Sequence, residues 1–220
     1  MTERKFGISG FILKCFAMLC MLIDHTGAIL FPQYMQLRIV GRLAFPIYCF
    51  LLVEGAMHTK DIRKYERRLF IFALFSELPF DLAFYRSVDF RHQNVFFTLF
   101  LGLIIVDLYQ NCKNRWIVCA LSFLGLVLAE FLCTDYGAGG IIIIICFYCL
   151  YQYFFIRQVA FAVINLALFG ITIQAYAGFA AIPLLLYNGK KGVSMKYFFY
   201  IFYPAHLLIL YIICKIMYLS

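Results

Sequence analysis

The residues of this chain that are best suited to chemistry are ionisable side chains inside long apolar runs. Such groups are costly in a lipid environment and usually face the protein interior, where they bind ligands, relay protons or catalyse reactions. Their number predicts a polar site within an otherwise apolar protein. The residues are Lys14, Asp24, His25, Arg38, Arg42, Glu54, Glu77, Asp81, Asp107, Glu130 and His206.

Two of these pairs have helical spacing. Arg38 and Arg42 are four residues apart and share a helix face, and so do Glu77 and Asp81. If the runs that carry them are antiparallel neighbours, the spacing predicts an ion-pair ladder of Arg38 with Asp81 and Arg42 with Glu77. The ladder could simply hold two helices together, which we favour for Arg38–Asp81, or one member could orient a histidine.

His25 is the main candidate for an acid–base residue, because imidazole titrates near neutral pH. Neighbouring residues on a helix point about 100° apart, so Asp24 and His25 are not expected to bond each other directly. A carboxylate from another run is the expected partner, and Glu77 is the candidate. A single histidine is more often a packed core residue, as His206 after Pro204 also could be, but the charged neighbours of His25 favour a functional role.

Two further polar clusters have both a structural and a functional interpretation. His92, Gln93 and Asn94 precede the fourth apolar run, where Asn94 is well suited to be a helix N-cap. Glu54 and His58 are four residues apart at the end of the second run. They form either a surface pair of little energetic value or the mouth of a cofactor tunnel.

The composition excludes a water-soluble domain. The 220 residues are 65% hydrophobic and 14% charged, with a mean hydropathy of +0.90, against about 45–50% apolar and about 25% charged in ordinary soluble domains. The 14 glycines and five prolines exclude a collagen-like chain. The nine cysteines mostly lie in apolar runs without metal-site spacing, so they predict packed side chains and no metal.

The apolar runs predict an all-α, polytopic membrane protein, a bundle of 8–9 transmembrane helices in one domain over residues 1–220. Helices are required because the backbone must satisfy its own hydrogen bonds in hydrocarbon, and a β-barrel would show alternation instead. The stretch 158–187 is long for one span and short for two, and we interpret it as two short helices. The runs are 11–31, 37–57, 69–84, 95–109, 116–132, 141–155, 158–187 and 197–217.

The basic residues predict the orientation, because lysine and arginine accumulate in cytoplasmic loops. With a cytoplasmic N-terminus and nine spans, the outer side holds only Arg86, Arg91 and Lys215. The net charge of +8 is therefore attributed to topology rather than to nucleic-acid binding, although a basic rim can also attract anionic lipid or a phosphorylated cofactor. The basic residues predicted on the cytoplasmic side are Arg4, Lys5, Lys60, Arg63, Lys64, Arg67, Arg68, Lys113, Arg115, Arg157, Lys190, Lys191 and Lys196.

Seven short motifs, spread over nearly the whole chain, resemble the TraX family. The resemblance implies an integral protein of the bacterial cytoplasmic membrane, because TraX of conjugative plasmids acetylates the N-terminal amine of pilin there. It also implies acetyl-CoA or another acyl-CoA as donor. The acceptor is left open as a pilin-like peptide N-terminus, a glycan or a small molecule. The motifs are LIDHTG (22–27), GRLAFP (41–46), FLLVEG (50–55), SELPFD (76–81), HQNVFFTL (92–99), DYG (135–137) and YIFYPAHL (200–207).

The residues fit a transfer from cytosolic acyl-CoA to an acceptor at the outer side. His25 would be the base, with Glu77 or Asp24 setting its tautomer. The developing oxyanion would be stabilised by Arg42, His92 or Asn94. The basic loop with Lys60, Arg63 and Lys64 would meet the CoA phosphates. Further substrate or cofactor contacts are expected from Arg38, Glu54, His58, Asp81, Gln93, Asn94 and His206.

Two other functions fit the same residues. Buried ionisable groups also suit a small secondary transporter. A non-enzymatic assembly subunit of a conjugation or envelope system would use them only for folding or partner binding.

Overall fold

The computed structural model describes residues 6–89 and 91–219, and within these ranges the chain is helical, without a β-strand. Arg4 and Lys5, which enter the orientation argument, lie outside the described residues, and a single domain over residues 1–220 stays a prediction. The helices are α1 (Gly10–Ile29), α2 (Met35–Gly41), α3 (Ala44–His58), α4 (Ile62–Tyr85), α5 (Val95–Asn111), α6 (Arg115–Phe131), α7 (Gly137–Cys149), α8 (Phe154–Phe169), a 3₁₀ helix (Ile173–Ala180), α9 (Ala181–Leu185) and α10 (Lys196–Leu219).

Contacts between loops divide the bundle into two sides. On the side of the N-terminus, called the near side, the Gly10 N–H donates to the Lys190 carbonyl (2.8 Å), and the Gln110 amide contacts the Met57 sulfur (3.3 Å). The start of α1 therefore lies with the end of α3, the end of α5 and the loop before α10.

The opposite side, called the far side, holds the other turns. The Asp135 N–H donates to the Gln93 carbonyl (3.0 Å), and the Cys214 thiol lies 3.8 Å from the Ile29 carbonyl. The loops after α4 and α6 thus meet, and the end of α10 lies beside the end of α1.

The chain runs between the two sides nine times over the described residues, once in each of α1, α4, α5, α6, α7, α8 and α10, once in α2 with α3, and once in the 3₁₀ helix with α9. Three of these passages are long and apolar enough to cross a membrane by length and composition: Gly10–Ile29, Met35–His58 and Tyr197–Met217. Shorter apolar helices make up most of the others. The predicted all-α membrane bundle is confirmed.

The stretch 158–187 contains two short passages, as predicted. Helix α8 ends at Gly170, whose φ of +62° lies in the region that favours glycine. The chain then returns through the 3₁₀ helix and α9 to Tyr187, whose hydroxyl contacts Glu54 on the near side. Each passage is about 24 Å long, shorter than a typical hydrocarbon core of about 30 Å.

The helices differ in how deeply they lie in the bundle. In α3, 11 of 15 residues are buried, which makes it the central helix. In α6, four of 17 are buried, and Trp116, Phe123 and Phe131 are exposed. An apolar face exposed on a peripheral helix is what contact with lipid requires.

Glycines allow α1 and α2 to pack closely beside the functional residues. A Cβ at Gly41 would overlap the Asp24 side chain, and one at Gly27 would lie 2.6 Å from the Leu37 Cβ. Small residues that let backbones approach are typical of membrane helix contacts. The close approach brings the arginines of α2 to the carboxylate on α1.

Candidate active site

Two histidines that are 181 residues apart in sequence form a hydrogen-bonded pair. His25 Nδ1 lies 2.7 Å from His206 Nε2, and the rings are nearly parallel, with an interplanar angle of 3°. His206 Nδ1 is in turn 2.7 Å from the Phe202 carbonyl. His25 is half-buried and His206 is buried.

The Phe202 carbonyl determines the tautomers of the neutral pair. A carbonyl oxygen only accepts, so His206 Nδ1 must carry a proton. The neutral His206 then accepts at Nε2, and His25 donates from Nδ1. This leaves His25 Nε2 with a free lone pair, which is the arrangement that a general base needs.

The partner predicted for His25 was wrong. Glu77 instead accepts from the backbone N–H of Asn94 (3.2 Å) and from its side-chain amide. Asn94 also accepts from the Phe96 N–H (3.0 Å) and caps α5, so its predicted N-cap role is confirmed. A carboxylate is favourable at this position because the N-terminus of a helix carries a partial positive charge.

The predicted ladder of Arg38 with Asp81 and Arg42 with Glu77 was also wrong. Both arginines bind Asp24, at 2.7 Å from Arg38 and at 2.7 and 2.6 Å from Arg42. The reason is that α2 folds back on α1 through Gly41, whereas a contact with α4 would need a different rotation of these helices. We call Asp24, Arg38 and Arg42 the far-side ion cluster.

The cluster continues into the far-side loops. Arg42 also donates to the Gln174 side chain (3.2 Å). Asp81, the other residue of the predicted ladder, accepts from the backbone N–H of Asp89 (3.0 Å). An open pocket of about 370 Å³ adjoins the cluster and is lined by Arg42, Glu130, Asp135 and Gln174, among others.

A second, larger cavity of about 420 Å³ opens on the near side. Its cationic lining residues are Lys14, Arg68 and Lys191, and its far end is formed by Met21, Val95, Phe96, Leu99 and Tyr203. Aromatic rings line much of the volume between them. We call this volume the near-side cavity; its size is in the range of about 300–1,000 Å³ that is common for small-molecule sites.

The near-side cavity ends beside the histidine pair. Lys14, Met21 and His25 lie on one face of α1, because their spacings of seven and four residues repeat at whole helical turns. The Tyr203 ring forms part of the cavity end and lies edge-on to His25, with centroids 6.0 Å apart. His25 therefore lies behind the last ring of the cavity, about 22 Å along α1 from Gly10.

Glu54 and His58, predicted as a surface pair or a tunnel mouth, line the near-side cavity. The Glu54 carboxylate is buried and accepts from the hydroxyls of Tyr151 (3.4 Å) and Tyr187 (3.5 Å). The His58 side chain is 65% exposed, and its Nδ1 lies 2.8 Å from the Glu54 carbonyl. Glu54 thus joins three segments of the chain at the cavity mouth.

The remaining predicted site residues lie away from both the histidine pair and the near-side cavity. Lys60, Arg63 and Lys64 are not among the described residues that line the near-side cavity, and Lys64 pairs with Asp61 at 3.3 Å. His92 is exposed in a far-side loop and stacks on Tyr85, and Gln93 joins that loop to residues 133–135 through its backbone.

The sequence analysis missed the cations that line the cavity and the role of Tyr203. Helical spacing could have indicated them, because Lys14 lies on the His25 face of α1. Phe199, Tyr203 and His206 likewise share one face of α10. Among residues 6–89 and 91–219, no group of three or more His, Cys, Asp or Glu side chains is placed to hold a metal ion.

The fold and the site together define an integral membrane protein with a charged and aromatic-lined cavity in a helical bundle. The chain matches the TraX family, described as TraX protein, over residues 9–214, and it belongs to this family. It is 30% identical to "Probable fimbrial assembly protein FimC, serogroup H1" of Dichelobacter nodosus, over 94% of this chain and 96% of the relative. It is also 28% identical to "Uncharacterized protein RP591" of Rickettsia prowazekii (strain Madrid E), over 46% of this chain and 37% of that protein. No solved structure matches the chain.

Proposed function

We propose that this protein is a membrane acyltransferase that moves an acyl group from a CoA thioester in the near-side cavity to an amine or hydroxyl acceptor from the far side. The observation that carries the proposal is the lone pair of His25 Nε2, left free by the hydrogen bond to His206, on a ring that contacts Tyr203 at the end of a cavity with a cationic lining.

The near-side cavity suits an acyl-CoA donor. Lys14, Arg68 and Lys191 would hold the phosphates, since cationic side chains form strong charge-assisted hydrogen bonds with phosphate oxygens. The arm that carries the thioester would extend along the aromatic lining toward Tyr203. Acetyl-CoA is the first donor to test, and the near side would face the cytoplasm of a bacterial inner membrane, as the basic loops predict.

The chemistry is a direct acyl transfer. His25 Nε2 takes the proton of the acceptor amine or hydroxyl as that group attacks the thioester carbonyl carbon. The carbon–sulfur bond then breaks, and the imidazolium returns the proton to the leaving thiolate. His206 keeps accepting from His25 Nδ1 throughout and so stabilises the charged ring.

We propose an acceptor with a primary amine as the first candidate, with the N-terminus of a pilin-like peptide as the specific form. The far-side pocket contains the carboxylates of Glu130 and Asp135, which suit an ammonium group. The D. nodosus relative is named as a fimbrial assembly protein, which agrees with a substrate related to pili.

The test is to incubate the purified protein with radiolabelled acetyl-CoA and a bacterial membrane extract. We expect release of the CoA thiol and transfer of label to a membrane component. His25→Ala should lower the rate by about 10²–10⁴-fold, the usual contribution of a general base, and a cooperative thermal unfolding transition in detergent shows that the variant is folded.

Wild-type rates in a folded His25→Ala variant would refute the proposed base. Uptake of a labelled solute by reconstituted vesicles, without thiol release, would identify a transporter instead.

A further inference from the structure

Tyr203 is a hydrogen-bond donor at the far end of the near-side cavity, which the hydroxyl-bearing Tyr48 also lines. Met21, Val95, Phe96 and Leu99 offer only apolar side chains there, whereas Tyr203 has a hydroxyl. Among the described lining residues, Tyr203 is also the one whose ring contacts His25 (centroids 6.0 Å apart). A carbonyl within reach of His25 would therefore lie next to this tyrosine.

The ring of Tyr203 is held firmly. It is 2% exposed and packs edge-on against Phe96, with centroids 5.0 Å apart, and against His206, at 5.7 Å. A fixed donor costs little reorganisation when charge develops during a reaction, and such preorganisation is the main source of electrostatic catalysis.

Tyr203 lies beside the start of α5. Val95, the first residue of that helix, lines the cavity with it, and the Tyr203 ring packs on Phe96. The positive end of the α5 dipole lies at the same place and favours negative charge there.

We propose that Tyr203 is the oxyanion donor of the acyl transfer, an inference that rests on the proposed function. When the acceptor attacks the carbonyl carbon, the π electrons of the C=O bond move to its oxygen. The Tyr203 O–H donates to that oxygen until the carbonyl re-forms and the carbon–sulfur bond breaks, and Tyr203 keeps its proton.

The three residues predicted from the sequence to stabilise the oxyanion have other partners or positions in the structure. Arg42 binds Asp24 and Gln174, Asn94 caps α5 and holds Glu77, and His92 is exposed in a far-side loop. None of the three is among the described residues that line the near-side cavity. Tyr203 takes the role that was expected of them.

The experiment measures CoA thiol release from acetyl-CoA with glycinamide as the acceptor probe, corrected for the uncatalysed reaction. In Tyr203→Phe, which keeps the ring, kcat should fall by about 10²–10³-fold, as for other oxyanion donors, with KM for acetyl-CoA within about twofold. Tyr211→Phe is the matched control, because Tyr211 lies two turns further along α10 and away from the cavity; it should keep wild-type kcat.

Binding separates this role from a structural one. A trifluoromethyl ketone analogue of acetyl-CoA, whose adduct resembles the tetrahedral intermediate, should bind Tyr203→Phe more weakly by the same factor as the loss of kcat, while CoA itself binds equally well. If Tyr203→Phe does not fold, replacement of Tyr203 by 3-fluorotyrosine changes the acidity of the hydroxyl but keeps the ring, and it should change kcat without changing KM.

Wild-type kcat in either Tyr203 variant, or equal weakening of ketone and CoA binding, overturns this inference. If His25→Ala is inactive in the same assay, the proposed function stands without it. If the wild-type protein releases no thiol, the proposed function fails and this inference fails with it.

Discussion

The far-side ion cluster and the near-side cavity both contain charged groups, but those of the cluster pair with one another and those of the cavity surround an open volume. Asp24 is 6% exposed and binds both Arg38 and Arg42. Lys14, Arg68 and Lys191 line an open volume of about 420 Å³. Charges that satisfy each other hold helices together, whereas charges around an open volume are available to a ligand.

The comparison is sharpest at Asp24 and His25, which are adjacent in sequence. The carboxylate is saturated by two guanidinium groups, whereas the imidazole keeps one nitrogen free and its ring contacts Tyr203, which lines the cavity. We therefore expect substitutions in the far-side ion cluster to lower stability, and substitutions in the near-side cavity to lower donor binding or rate.

The largest effect is expected for Asp24→Ala. Removing this carboxylate leaves two guanidinium groups in a low-dielectric site without their partner, which typically costs about 3–5 kcal/mol. Equilibrium unfolding in mixed detergent measures the loss. Asp61→Ala is the control: it removes an exposed N-cap of α4 and should cost about 1 kcal/mol. Equal losses of unfolding free energy in Asp24→Ala and Asp61→Ala would contradict the role of Asp24 as the buried partner of both arginines.

Gly41→Ala should cost about 1–3 kcal/mol, as overpacking does, because the new methyl group would overlap the Asp24 side chain. Helix α2 would have to move away from α1 and stretch both ion pairs. The same unfolding assay applies. For Gly178→Ala, the nearest atom to the new Cβ is the Ala162 Cβ at 4.0 Å, and no loss is expected. A neutral Gly41→Ala would show that the cluster does not need the close approach.

Asn94→Ala should destabilise the protein by about 0.5–2 kcal/mol through loss of the N-cap, and it also removes the hydrogen bonds that the side-chain amide donates to Glu77 and to the Ala73 carbonyl. Asn114→Ala is the matched control, because Asn114 caps α6 in an exposed position. We expect loss of the buried cap in Asn94→Ala to lower the free energy of unfolding more than loss of the exposed cap in Asn114→Ala. The reverse order of unfolding midpoints would contradict the role of Asn94 as an anchor for α4 and α5.

Lys191→Ala should raise KM for acetyl-CoA by about 1.4- to fivefold, which corresponds to an exposed ion pair of about 0.2–1 kcal/mol. Lys190→Ala is the control, since Lys190 is the adjacent exposed lysine and is not among the described residues that line the cavity. Initial-rate kinetics at varied acetyl-CoA measure both variants. A larger KM change in Lys190→Ala would contradict the assignment of the cavity cations.

The smallest effect is expected from pH at Asp89. Hydrogen bonds from Arg91 hold the pKa of Asp89 at about 2, below its ordinary 3.8. A lowered pKa in the folded state contributes stability above pH 3.8, and that contribution is lost as pH falls toward 2. Asp89→Asn should therefore be less stable than wild type at pH 5, with a difference that shrinks on acidification. A difference independent of pH would contradict the Asp89–Arg91 bond.

The bundle of 8–9 transmembrane helices and the division of 158–187 into two short helices could be predicted from the sequence, because hydrocarbon thickness sets the length of an apolar run. The N-cap at Asn94 could be predicted for a similar reason, since capping depends on residues within one turn. The partners of His25, Arg38 and Arg42 could not. They depend on how each helix is rotated about its axis, and a shift of one residue turns a side chain by about 100°.

The sequence by itself determined that this protein is a helical membrane bundle with ionisable groups inside it, since backbone hydrogen bonding and apolar length are properties of each segment alone. Only the tertiary structure decided that Asp24 is a saturated anchor and that His25 pairs with His206. The physical reason is that hydrogen bonds reach about 3 Å, so the partner of each group is decided by the packing of helices distant in sequence.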